Sequence, residues 1–333
     1  MSEDFVSEAL DTNPVAPASP DKPGGTPAGA PNLLARLQGW VLSNPVAFKE
    51  LRGRMRGRRA YILITAYTAV LALGMVLVYF ASAYPTNPNN LDTLHTVGKA
   101  LFATVYILQL LAVCFIAPAL SAGAIATERE RQTYELLRTT LLSPGKLVRG
   151  KFASGMLFLL LLLLVGLPLQ SVAYLFGGVV LEELLIGLLL LVVTAVAFLA
   201  IGLFYSSLSR RTLVATVLSY GTSLLLVFGL PFLILVFSYL QSNLSGRVGS
   251  PAGFQQAYLM ILLWIVVCFN PLAAAIGSEV VLLENDSLWY LSQSYNGVNF
   301  YFPSPWYVYT IVYILLSLLL LWLAVRRVSR PEH

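Results

Sequence analysis

The chain is short of charge. Only 11% of its 333 residues are Asp, Glu, Lys or Arg, while 57% are hydrophobic. That balance lies outside the range of soluble domains and suits a bilayer. The few charges flank long apolar runs, whose interiors hold no Asp, Glu, Lys, Arg or His. Ion-coupled carriers and proton pumps keep ionisable groups at membrane depth because those groups carry the relay, so the sequence argues against such a machine. Histidine is scarce as well. His95 and His333 stand far apart, which gives no support to a metal centre or a histidine-based membrane hydrolase. The two cysteines, Cys114 and Cys268, both fall inside apolar runs, so they read as buried small hydrophobes rather than a disulfide framework. No phosphate-binding loop is present: Gly145-Lys146-Leu147 and Gly150-Lys151-Phe152 lack the upstream glycine and the following Ser or Thr. The net charge of +5 does not point to nucleic acid, because the basic residues sit where the positive-inside rule places them.

The apolar runs predict an all-α polytopic membrane protein. A helix needs about 20 apolar residues to cross the hydrocarbon, and six runs are long enough: Ala60–Ser82, Ala100–Ala122, Phe152–Phe176, Leu184–Leu208, Thr212–Leu240 and Trp306–Val325. A seventh region, Ala257–Leu283, is broken at Asn270-Pro271 into pieces too short to cross alone. Charge decides its reading. With six spans and both ends inside, only Lys99 and Arg247 among the basic residues lie outside. A full crossing at 257–283 would expel Arg326, Arg327 and Arg330. The expectation is therefore a re-entrant hairpin on the outer face, packed among the spans. Beyond it, Trp289, Tyr290, Tyr295, Phe300, Tyr301, Phe302 and Trp306 read as an interfacial aromatic cap.

Residues 1–32 are rich in Pro, Ala, Gly and Ser and read as a disordered cytoplasmic tail. Residues 33–59 read as an amphipathic basic entry segment. Asn44-Pro45 offers an N-cap and a first-turn proline, Phe48, Leu51 and Met55 form an apolar side, and Lys49, Glu50, Arg52 and Arg56 stand among the charged positions. Residues 60–330 form the transmembrane domain.

One charged island, Thr127–Lys151, interrupts the apolar runs. Thr127 and Glu130 fit a capping box that starts a helix, and Pro144-Gly145 ends it. The candidate docking residues are Glu128, Arg129, Glu130, Arg131, Thr133, Tyr134, Glu135, Leu137, Arg138 and Leu141; of these, Tyr134, Leu137 and Leu141 share one face. A polytopic chain with no energy source of its own but with such a helix invites the inference that a partner drives it through that helix.

Two motifs carry a family resemblance. Asn44-Pro45 with Phe48-Lys49-Glu50-Leu51-Arg52, and Glu128-Arg129-Glu130-Arg131 with Thr133, Glu135-Leu136-Leu137, Thr140, Ser143 and Gly150-Lys151, resemble the entry and coupling regions of membrane subunits of ABC-2 type ABC transporters. Gln132 and Leu141 stand where the family usually has Gly and Pro. The resemblance implies a permease, an exporter in the plasma membrane with both termini cytoplasmic. It further implies a second permease subunit and separate ATP-binding subunits that hold ATP and Mg; no cofactor is expected in this chain. Tyr205, Ser206, Ser219, Tyr220, Thr222, Ser223 and Glu279 are the candidate lining of the transport path. The alternative from another class is a membrane scaffold that docks a cytoplasmic partner without transport.

Overall fold

The computed structural model describes residues 45–55, 57–83, 91–132, 143–229, 231–233, 235–236, 239–240, 261, 263–285, 289–295 and 298–329. The expectations for residues 1–44, for 133–142 (with Thr133, Tyr134, Glu135, Leu137, Arg138 and Leu141), for Arg56 and for the side chain of Glu279 lie outside the described residues. Among the described residues six helices are long and apolar enough to cross a membrane, and the chain is an all-α membrane protein with one small added β-hairpin.

Helix α1 (Pro45–Met55) leads through Gly57, at a φ of 135°, into α2 (Arg58–Ala83). There follow α3 (Leu91–Ser121), the short α4 (Ala126–Glu130), α5 (Pro144–Leu175), α6 (Leu181–Leu208) and α7 (Thr212–Leu224). The chain ends with α8 (Pro271–Asn285), strands β1 (Tyr290–Tyr295) and β2 (Val298–Pro303), and α9 (Pro305–Ser329). The six candidate spans match the apolar runs closely, except that helices extend past the hydrocarbon-length cores at several ends. Arg58, Arg129, Lys146, Arg149, Lys151, Arg210, Arg211, Arg326 and Arg327 gather at one set of helix ends, called the basic end below. The opposite set, with Trp289 and Trp306, is the aromatic end.

The sequence explains which helix is central. Helix α6 is apolar on every side, the pattern of a buried helix rather than a surface one. It packs against α3, α5, α7 and α9, and 61% of its apolar window is buried, against 11% for α2. Its fully buried Leu190, Leu191, Phe198 and Leu199 form the core with Leu110 and Leu159, and Leu203 joins a second cluster with Ile125, Leu147 and Val148.

Two places show the backbone departing from regular helix. The last turn of α7 continues as a π-helix over Leu225–Gly229, which shifts its hydrogen bonds out of α-register. The Asn270 amide donates to the carbonyls of Leu226 at 2.6 Å and Val227 at 2.8 Å. Its Oδ1 accepts the N–H groups of Leu272 and Ala273 and so caps α8. Pro271 fills the first helical position, where a missing N–H costs nothing. The other place is the turn from α5 to α6. There Gly177 and Gly178 take φ of 74° and 96°, and a side chain at Gly178 would overlap the backbone of His95.

The structure also corrects three local expectations. Thr127 and Glu130 form no capping box: α4 starts after Ile125 with no side-chain cap of its own, because its first amides are taken up from another helix, as described below. Pro144 takes the first position of α5, behind the N-cap Ser143; residues 133–142 before it lie outside the described residues. The helix that begins in the charged island stops after Glu130, and Gln132 has a φ of 58°. Left-handed backbone favours glycine because it has no Cβ to clash. This accounts physically for the glycine common at that position in the resembled family. The aromatic segment is an antiparallel hairpin in which Ser292 pairs with Tyr301 and Gln293 with Phe300; few residues separate its strands from the proline that opens α9, so periodicity had too little length to show it.

Two stability tests follow. Gln132→Gly is expected to stabilise the chain by about 1 kcal/mol, since left-handed backbone costs an L-residue roughly that amount, and to raise the unfolding temperature in detergent; a fall would contradict the assigned turn. Asn270→Ala removes a cap worth about 1 kcal/mol and strips the donor from two carbonyls at membrane depth. A clear drop in unfolding temperature is the expected outcome, and an unchanged one would contradict the cap.

Candidate functional site

Four charges from three elements meet at the basic end. Glu50 and Arg54 lie one turn apart on α1, Glu128 on α4 and Lys151 near the start of α5. The Lys151 ammonium, with a side chain only 4% exposed, sits 2.8 Å from Glu50 Oε1 and 2.7 Å from Glu128 Oε1. Glu50 Oε2 accepts the Ser154 hydroxyl at 3.1 Å and lies 3.8 Å from Arg54 Nη2. That same Arg54 nitrogen donates to the Leu120 carbonyl at 3.0 Å, at the C-terminal turn of α3, where carbonyls lack helical partners and a cation suits the macrodipole. Burial lowers the Arg54 pKa from its ordinary value, and the Glu50 charge offsets part of that shift; so high a starting value leaves the guanidinium charged. Two carboxylates and two cations make the group neutral, which limits what its burial costs.

The short α4 is held from its other sides too. Ser206 Oγ accepts the N–H groups of Ile125 and Ala126 at 2.8 and 3.0 Å. The expected capping box would have served the amides of Thr127 and Glu130 instead; the Thr127 N–H goes to the Gly123 carbonyl at 3.1 Å. Arg129 Nη1 donates to the Ser207 carbonyl at 2.6 Å, at the end of α6. Glu130 Oε2 accepts the Thr212 hydroxyl at 2.6 Å and its N–H at 3.2 Å, placing a negative charge on the N-terminus of α7. Residues 121–132 are therefore tied to α1, α5, α6 and α7 at once, while Glu130, Arg131 and Gln132 remain exposed.

Of the expected docking residues, Glu128, Arg129, Glu130 and Arg131 thus lie together on this junction. In the entry helix, Glu50 joins them, and Lys49 and Arg52 are exposed. The expected path residues are spread over α6 and α7. Tyr205 and Thr222 share a hydrogen bond of 2.9 Å, the Tyr220 hydroxyl donates to the Phe115 carbonyl, and Ser223 donates back to Ser219 within α7. Ser219 and Ser223 are buried. Ser206 is wholly buried and serves α4, so its structural task is at the basic end.

Comparison with family models matches residues 44–326 to the ABC-2 family transporter protein description. The chain belongs to the ABC-2 transporter family. It is accordingly a multi-pass membrane permease component of an ABC transporter. A search of curated proteins gave no match.

Reading the sequence of this ABC-2 protein for function missed three features. Lys151 was visible only as one of several basic residues flanking a span; its link to Glu50, 101 positions away, has no local signature. The second is the Gln170 amide donating to Gln109 Oε1 at 2.7 Å. A side chain at Gly166 would overlap the Gln109 amide and reach the Tyr67 hydroxyl, so α2, α3 and α5 meet around one small polar cluster. Its signal was available, because Gln109 and Gln170 are the only carboxamides within the six expected spans. The third is the buried Thr194–Tyr309 bond of 2.8 Å between α6 and α9.

Substitution separates a structural charge group from a loose surface pair. Lys151→Ala leaves Glu50 and Glu128 without their ammonium and is expected to destabilise the chain by about 3–5 kcal/mol, the cost of breaking a buried pair. The triple variant Glu50→Gln, Glu128→Gln, Lys151→Met removes the charges together and is expected to recover most of the loss. Thermal unfolding in one detergent checks both, and equal damage in the two variants would contradict the assignment.

Proposed function

We propose that this chain is the membrane half of an ATP-driven exporter, and that separate ATP-binding subunits work it through residues 121–132. The observation that carries the reading is the attachment of this segment to four helices by the Glu50–Lys151–Glu128 group, the Ser206 caps, the Arg129 bond and the Glu130 bonds. A force on its exposed edge acts on the starts of α5 and α7 and the ends of α3 and α6 together. A packed, bistable assembly passes such a displacement on as a change of state instead of absorbing it. The basic end then faces the cytoplasm, as the positive-inside rule requires, in the plasma membrane. Residues 133–142 complete the docking surface with Arg131, and Lys49 and Arg52 add to it from the entry helix.

In the same reading two permease chains pair, and the path runs between them. The partly exposed edge of α7 at Tyr220 and Thr222 faces it, with Tyr205 and Ser219 behind and Glu279 beyond the break at Asn270. Membrane helices associate through close packing and interhelical hydrogen bonds rather than hydrophobic burial. The uncovered Gly221, with no atom within 4 Å of where its Cβ would lie, gives such a contact room.

Purification of the chain with the ATPase encoded beside it tests the proposal. Arg131→Glu, at an exposed position, is expected to weaken that complex about tenfold, or roughly 1.4 kcal/mol, without changing the chain's unfolding temperature. The triple variant at Glu50, Glu128 and Lys151 is expected to keep the complex while losing the link between ATP turnover and transport. If a catalytically dead ATPase supports the same cellular phenotype, the chain is a docking scaffold and the exporter reading fails.

A further inference from the structure

An apolar cleft opens between α3, α6 and α8 toward the aromatic end. Phe102, Ala103 and Tyr106 line it from α3, Gly187 and Leu190 from α6, and Ala275 from α8. The rings of Phe102 and Tyr106 stack at 6.3 Å. A Cβ at Gly187 would come within 3.4 Å of both rings, so the glycine leaves them room. The cleft is open on one side, and the space within it is about 60 Å³, small beside the roughly 300–1,000 Å³ of pockets that take drug-sized ligands. It fits a slender chain rather than a folded molecule.

One charge lines the rim and a second stands beyond it on α3. Glu183, in the first turn of α6, lines the cleft, and one of its carboxylate oxygens accepts the Val180 N–H at 3.2 Å. Lys99 is not itself a lining residue, but it stands four residues before Ala103 and seven before Tyr106 on α3, which places it on the same helix face toward the aromatic end. Seven residues of helix span roughly 10 Å. From either charged residue the cleft therefore runs about that far to Tyr106 or Leu190 at its floor. Lys99 and Glu183 make no ion pair with each other among the described residues.

We infer that this cleft is a binding site for a zwitterionic, amine-bearing phospholipid of the adjacent leaflet. One acyl chain lies along Phe102, Tyr106 and Gly187, the phosphate meets Lys99, and the headgroup amine meets Glu183. Opposite charges at Lys99 and Glu183 select a headgroup carrying both signs in the matching order, whereas an anionic headgroup meets Glu183 with a like charge. Lys99 reaches the headgroup level because a lysine stem lies along apolar surface while its ammonium stays at the interface. The outer-leaflet placement rests on the orientation proposed above; the binding itself does not.

The full-length chain alone, purified from nanodiscs of equal phosphatidylethanolamine and phosphatidylglycerol, tests the site by native mass spectrometry. No ATPase is present, so failure here leaves the exporter reading standing, and failure of that reading leaves this one standing. One retained phosphatidylethanolamine per chain is expected, favoured about tenfold over phosphatidylglycerol. Glu183→Gln, whose amide oxygen still accepts the Val180 N–H, and Lys99→Gln each reduce that preference to about onefold to threefold, and Gly187→Leu abolishes retention by filling the cleft. Should Gly187→Leu fail to fold, the Glu183 and Lys99 variants decide alone. Equal retention of the two lipids, no retention, or a preference that survives both of those substitutions overturns the inference.

Discussion

A lysine buried between two carboxylates sets the organisation of the basic end. Lys151 cannot sit unpaired where its side chain is almost closed to solvent, because desolvating an ammonium costs several kcal/mol. Glu50 and Glu128 cannot both approach it without a further cation to balance them, and Arg54 supplies one. Satisfying the four charges fixes the position of α1 against α5 and of residues 121–132 against both. A single electrostatic requirement thereby joins an entry helix, a loop between spans and a span. The other attachments of α4 are hydrogen bonds: Ser206 meets its first amides, Arg129 reaches the Ser207 carbonyl and Glu130 the Thr212 hydroxyl.

At membrane depth the limiting condition is different. Water is absent there, so every polar group requires a protein partner or forfeits several kcal/mol. The chain meets this in part with a few linked groups: Gln109 with Gln170, Thr194 with Tyr309, and Asn270 with the carbonyls of the π-helical turn; Gln170 Oε1 and the Tyr106 hydroxyl are buried without a hydrogen bond among the described residues. Each linked group connects different helices, and together they run from α2 across to α9. A helix made irregular at Leu225–Gly229 persists because Asn270 accepts the consequence. The broken segment around Asn270 and the irregular turn of α7 are two parts of one local solution.

Much of this was legible in the sequence, for physical reasons that differ by element. The spans were visible because a bilayer imposes a minimum apolar length on every crossing helix, and Ala60–Ser82 or Leu184–Leu208 can meet it only in one register. The charged stretches at Lys49–Arg54 and Glu128–Arg131 were visible because they carry charge where the rest of the chain has little. Local hydrogen bonding was less readable. Thr127 and Glu130 have the spacing of a capping box, yet the helix amides found Ser206, 80 residues or more away, and Glu130 capped α7 instead. Pro144 is equally suited to follow one helix or begin another; the N-cap Ser143 and the packing of Leu147 and Val148 show that it begins α5. The partners of Lys151 could not be read at all, because a long-range ion pair leaves no periodicity.

The claim on which the rest depends is that residues 121–132 move with α1 and α5 as one body. Spin labels at the exposed Lys49 and Arg131 positions, with pulsed dipolar distances recorded in the complex with the ATP-binding subunits, address it directly. The account predicts that the Lys49–Arg131 distance is the same with and without ATP while distances from Arg131 to the aromatic end of α9 change. A Lys49–Arg131 distance that changes with nucleotide while the spans stay fixed would contradict it.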